Sequence, residues 1–141
     1  MTVFLDTNIL IAATQVSHPH NLQSRALLSR TKGVKTFIGA HTIAEVYSGL
    51  TRIPPPERIS SAMAMQAIET YLLRMDPITL TVEEYLKTVR DIARMGHTGG
   101  MIYDALLLAC ARKIKANQIY TWNRKHFQAI APDLADRIQT P

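Results

Sequence analysis

A three-layer α/β/α fold around a mostly parallel sheet of four to five strands is what this sequence predicts. Three observations carry the prediction. Strand-like and helix-like segments alternate along the chain, as they do in α/β proteins. The opening run Thr2-Val3-Phe4-Leu5 is apolar enough to be a fully buried strand. The chain of 141 residues is long enough for one real hydrophobic core and reads as a single domain over 1–141. Parallel strands then require crossover helices on both faces of the sheet.

The elements follow in order. Residues 2–6 read as a strand and 7–14 as a helix. His18-Pro19-His20 is a loop, and Asn21 is placed to cap a helix over 22–31. Val34 to Ile38 is a second strand. Ile43, Val46, Tyr47 and Leu50 recur at helical spacing, giving a helix over 42–52 that Pro54-Pro55-Pro56 ends. A helix over 57–70 and a short strand near Leu72-Leu73-Arg74-Met75 come next. Thr81 caps a helix through Met95, and Gly96 with Gly99-Gly100 breaks the chain before a helix over about 100–115. Gln118 to Thr121 is a fourth strand, and Arg137-Ile138-Gln139 a short fifth.

Composition excludes several classes. Apolar residues make up 47% and charged residues 19%, so the chain is neither disordered nor fibrous. No apolar run is long enough to span a bilayer, and no secretory signal is recognisable. The single cysteine, Cys110, has no partner for an internal disulfide, which fits a reducing cytoplasm. A net charge of +5 favours a polyanionic partner such as nucleic acid, or an acidic protein segment. The sequence contains no dinucleotide fingerprint, phosphate loop or serine elbow.

Three carboxylates stand in unusually apolar company. Asp6 ends the first strand, at the edge where open α/β sheets bind ligands. It is also one of three candidate helix caps in a row, with Thr7 and Asn8 able to take that role instead. Glu45 lies in Ile43-Ala44-Glu45-Val46-Tyr47; Thr42 to Glu45 also matches a capping box. Asp104 is the sole charge in Met101 to Ala111, with no Lys or Arg three or four residues away. A distant ion pair, or the helix dipole, is its structural alternative. Buried carboxylates need a partner, a proton or a metal. An all-oxygen donor set suits Mg2+ or Mn2+; with one cysteine and no His-x-x-x-His pair, zinc does not fit.

A fourth region lies at the end of the Gln118–Thr121 strand. Thr121 and Asn123 are polar at the same edge as Asp6, where either would hold a phosphate oxygen or a water, or simply form a capped turn. Arg124 and Lys125, followed by His126, bring positive charge suited to phosphate, or form a solvated surface run. Asn8, Thr121, Arg124 and Lys125 are accordingly the candidate substrate-binding residues. Asp6, Glu45, Asp104 and Asn123 are the candidate catalytic ones. Arg52 and Lys113 are further candidates for backbone contact.

Together, Phe4-Leu5-Asp6-Thr7-Asn8, Thr42-Ile43-Ala44-Glu45-Val46, Tyr103-Asp104-Ala105-Leu106 and Thr121 to Phe127 resemble PIN-domain ribonucleases. The nearest branch is the VapC-type toxins of bacterial toxin–antitoxin pairs. The resemblance spans essentially the whole chain, with its motifs in family order. It implies that Asp6, Glu45 and Asp104 are metal-binding acids, with Asn123 standing where the family often has a fourth acid. It further implies a metal-dependent endoribonuclease acting on structured RNA, a homodimer, and a small cognate antitoxin. Water attack on the phosphodiester would leave 5′-phosphate and 3′-hydroxyl ends. The competing readings are a catalytically silent RNA- or protein-binding module of the same fold, a DNA nuclease or phosphatase, and a structural oligomerisation domain.

Overall fold

Strict alternation organises the first strand. In the computed structural model, which describes residues 1–141, Thr2–Leu5 forms β1 and turns Val3 and Leu5 into one apolar cluster and Phe4 into another. Burial on both faces is what a central parallel strand requires. Each such side chain contributes about 1.5–3 kcal/mol on leaving water. The other strands are β2 (Lys35–Gly39), β3 (Met75–Ile78), β4 (Gln118–Tyr120) and β5 (Ile138–Gln139). They form one five-stranded sheet in the order β3-β2-β1-β4-β5, and every ladder is parallel.

Seven helices cover the two faces: α1 (Thr7–Thr14), α2 (Asn21–Arg30), α3 (Thr42–Thr51), α4 (Ser61–Leu72), α5 (Val82–Arg94), α6 (Met101–Lys113) and α7 (Arg124–Ile130). Helices α1 to α4 bury Ile9, Leu10, Leu27, Val46, Leu50 and Ile68 against Val3, Leu5 and Ile38. Helices α6 and α7, with Ile92 of α5, bury Leu107, Leu108 and Phe127 against Phe4, Phe37 and Ile119. The predicted three-layer α/β/α architecture is the observed one, with the sheet wholly rather than mostly parallel.

Several local expectations need correction. The helix after the proline run begins at Ser61, not 57, because Ser60 accepts a bond from the Met63 amide and starts it there. It continues to Leu72, since Ala64, Ile68 and Tyr71 keep helical spacing against the core; the strand therefore begins at Met75 rather than near Leu72. Pro77 is tolerated there because β3 is an edge strand. Asn21 does not cap its own helix. Its buried amide donates to the carbonyls of Ala12, Ala13 and Gln15 and so closes the carboxyl end of α1. Thr81 behaves as predicted: it forms a complete capping box with Glu84. Gly96 and Gly99 take positive φ values of 75° and 62°, the left-handed backbone that ends one helix before the next.

The register decides what meets at the sheet's carboxyl edge. Leu5 pairs with Tyr120, so the residues that follow, Asp6 and Thr121, leave the sheet side by side. The Asp6 amide continues the ladder with a bond to the Tyr120 carbonyl at 3.0 Å.

Candidate functional site

Asp6 sits at the N-cap position of α1 in extended backbone, yet its side chain makes no capping bond. The carboxylate instead accepts a 2.7 Å hydrogen bond from the Thr121 hydroxyl. Asp6 is only 4% exposed and has no basic partner. Burial raises its pKa from 3.8 to about 7; the Thr121 bond opposes this, and the charges of Asp104 and Glu45 add to it. Three acids remote in sequence thus feel one another at one edge of the sheet.

Glu45 lies in the first turn of α3, where the capping box expected of it is absent. His41 holds the N-cap position, and the Thr42 hydroxyl turns inward to the Thr7 hydroxyl at 2.9 Å. The Glu45 carboxyl is half-buried, and its pKa is raised by burial and by Asp104. His41 Nε2 approaches Glu45 Oε1 to 3.1 Å, but without the alignment of a hydrogen bond, so both buried atoms remain unpartnered. Burial lowers the His41 pKa and raises that of Glu45, so desolvation at this contact works against the charged form of each group.

Asp104 opens α6. It takes part in no salt bridge; burial raises its pKa and nearby His126 lowers it. The distant ion pair considered for it is absent. No three His, Cys, Asp or Glu side chains are gathered in a group arranged to hold a metal ion. The acids are electrostatic neighbours rather than a closed ligand shell.

The β4–α7 turn is built as a support for Asp6. Thr121, a candidate for substrate contact, is fully buried, and its hydroxyl donates to the Asp6 carboxylate. The same oxygen accepts from the Asn123 amide at 2.9 Å. The Asn8 side-chain oxygen accepts from the Trp122 amide at 3.3 Å, which ties the turn to α1. Asn123, Arg124 and Lys125 are exposed, as is His126. Neither Arg124 nor Lys125 is paired with an acid. Lys113, by contrast, donates to the Glu84 carboxylate and the Thr79 carbonyl.

Sequence reasoning missed His41, although its i,i+4 spacing to Glu45 on a helix was a signal. It also missed the indole of Trp122, which donates to buried Ser24 and stacks on His20 at 3.8 Å. Nothing in the sequence pairs residues that far apart.

The donor set fits a hard divalent cation. Every candidate ligand is a carboxylate oxygen, and the Glu45 Oε1 atom is buried without a hydrogen-bond partner. Both the burial penalty and the mutual repulsion would be relieved by positive charge.

Comparison with known proteins accords with this geometry. The family model described as PIN domain matches residues 3–131. Ribonuclease VapC40 of Mycobacterium tuberculosis is 35% identical over 103 residues, which is 72% of each protein. Among solved structures, the Mycobacterium tuberculosis toxin VapC20, described as cleaving the sarcin–ricin loop, superposes with a TM-score of 0.75 at 18% identity, covering 90% of this chain and 94% of that one. VapBC2 of Rickettsia felis, bound to a DNA fragment from its promoter, gives 0.71 at 21% identity, covering 99% and 98%. VapBC-1 of nontypeable Haemophilus influenzae gives 0.67 at 20% identity, covering 100% and 97%. The three structures share the fold, and the family match together with the VapC40 relative shows that this chain belongs to the PIN-domain family, in its VapC branch.

Proposed function

We propose that the protein is a divalent-metal-dependent endoribonuclease, the toxin of a toxin–antitoxin pair, that cleaves structured RNA by water attack on a phosphodiester. The observation that carries the reading is Asp6. It is a buried carboxyl without a cationic partner, at the carboxyl end of the central strand, with its pKa raised by burial and further by Asp104 and Glu45. The VapC40 relative, a ribonuclease by name, supports the activity.

Asp6, Glu45 and Asp104 would hold Mg2+ or Mn2+. The cation would neutralise phosphoryl charge and lower the pKa of the attacking water. Thr121 keeps the Asp6 carboxylate oriented, and Asn8 holds the turn that carries Thr121. Asn123, exposed at the start of α7, would stand beside the reacting phosphate. Arg124 and Lys125 would contact flanking phosphates and make binding salt-dependent. The products would carry 5′-phosphate and 3′-hydroxyl ends. A homodimer in the cytoplasm, silenced by a small cognate antitoxin, completes the reading; the VapBC complexes among the structural neighbours support the antitoxin partner.

The lack of a ready-made metal-holding group among the acids favours one second reading, a catalytically silent module of the same fold that binds RNA or protein. Incubating total bacterial RNA with purified protein, with and without Mn2+, separates the two. Metal-dependent cutting by wild type that Asp6→Asn abolishes supports the nuclease. Wild-type protein that binds RNA but never cuts it supports the silent module. Induced expression should arrest growth, with rescue by a small neighbouring reading frame.

A further inference from the structure

Glu45 belongs to two features at once. Beside it opens a cleft of about 330 Å3, walled by His41, Ala44, Tyr85, Tyr103 and Leu106. Its aromatic walls come from two helices. Tyr85 belongs to α5, and Tyr103 to the first turn of α6, one residue before Asp104. The two residues are 40% and 59% exposed, so both rings present surface to solvent at the cleft. The phenols of Tyr71 and Tyr120 are engaged inside the protein, whereas those of Tyr85 and Tyr103 make no such bonds. Neither ring stacks on another aromatic side chain, so their faces remain available.

We propose that this cleft is a stacking subsite for one unpaired base of the RNA substrate, with Tyr103 as its main platform and Tyr85 as a further wall. The inference rests on the nuclease reading and specifies how that site selects substrate. Glu45 lines the cleft and Tyr103 precedes Asp104 in the first turn of α6, so the cleft opens beside the acids, where a base next to the reacting phosphate would enter it. Ala44 and Leu106 offer the base an apolar lining, and His41 and Glu45 a polar edge. Stacking on tyrosine requires a base released from its helix, so the cleft selects loops and bulges over duplex. Every base has a π face, so the subsite reads unpairedness more than sequence.

The test measures initial cleavage of total bacterial RNA at limiting substrate with Mn2+, for wild type, Asp6→Asn, Tyr85→Ala, Tyr103→Ala and Tyr103→Phe. Loss of one stacked base lowers kcat/KM roughly five- to hundredfold for Tyr103→Ala, and the Phe variant restores it. In the Asp6→Asn background, fluorescence of a short single-stranded RNA containing 2-aminopurine is quenched on binding, and Tyr103→Ala removes that quench. An active wild type with Tyr103→Ala equally active overturns the subsite and leaves the nuclease reading standing. Wild type that cuts nothing overturns both. Normal cutting by Tyr103→Ala with weakened self-association or antitoxin binding assigns the cleft to a protein partner and overturns the inference. Ring exposure makes folding failure of the alanine variant unexpected, and the Phe variant distinguishes lost stacking from lost structure.

Discussion

Replacing Asp6 by Asn separates the cost of burying a charge from the capacity to bind a cation. Burial holds the Asp6 carboxyl at a pKa of about 7, against an ordinary value of 3.8. The folded protein therefore retains a proton that the unfolded chain releases. This contribution to stability is fully present below pH 3.8 and is lost as the pH rises through about 7. Between roughly pH 5.5 and pH 8 the loss is about 2 kcal/mol by proton linkage. Asn has no proton to give up, so the variant lacks this dependence. Glu45 and Asp104 titrate with the same sign, and His18 and His41, lowered by burial, with the opposite one. All four are present in both proteins and largely cancel in the difference. Urea melts of wild type and Asp6→Asn in EDTA at the two pH values provide the assay. The variant should gain about 2 kcal/mol on wild type at the higher pH. A difference that does not change with pH would refute the claim that Asp6 is a buried carboxyl without a cationic partner.

Three further outcomes follow from neighbouring groups. Thr121→Val removes the donor to Asp6 and leaves a buried charge with one fewer hydrogen bond. Mn2+ affinity at pH 8 should fall by about 1.5–3 kcal/mol in a titration, and cation binding should require a higher pH. Asn21→Ala strips three carbonyls at the end of α1 of their shared amide, so urea melts should show a loss of about 1–3 kcal/mol. Arg124→Gln with Lys125→Gln should flatten the dependence of log RNA affinity on log salt by about 0.7 for each single-strand phosphate no longer neutralised. An unchanged slope would place the RNA backbone elsewhere.

The fold was legible wherever one element satisfies its own pattern. Val3, Phe4 and Leu5 announce a two-sided strand, and Thr81 with Glu84 announces a helix start, because both signals are local. Boundaries failed for two reasons. Proline at 54–56 suggests an immediate new helix, but the chain waits for the local cap at Ser60; Leu72 looks like strand, but packing against the core continues α4. The acids were legible because charge in apolar company is itself anomalous. What surrounds them was not. Thr121 meets Asp6, Thr42 meets Thr7 and Trp122 meets Ser24 only because parallel register and helix packing bring distant residues together. Local periodicity contains no information about such pairs. His41 is the exception, visible at helical spacing from Glu45 yet easily read as one more loop histidine.

The central claim is that Asp6, Glu45 and Asp104 jointly hold the cation on which RNA cleavage depends. Anomalous diffraction from crystals soaked in manganese addresses it most directly. A peak about 2.1 Å from carboxylate oxygens of all three residues is the predicted result. Manganese bound elsewhere, or no peak at this edge of the sheet, would contradict it.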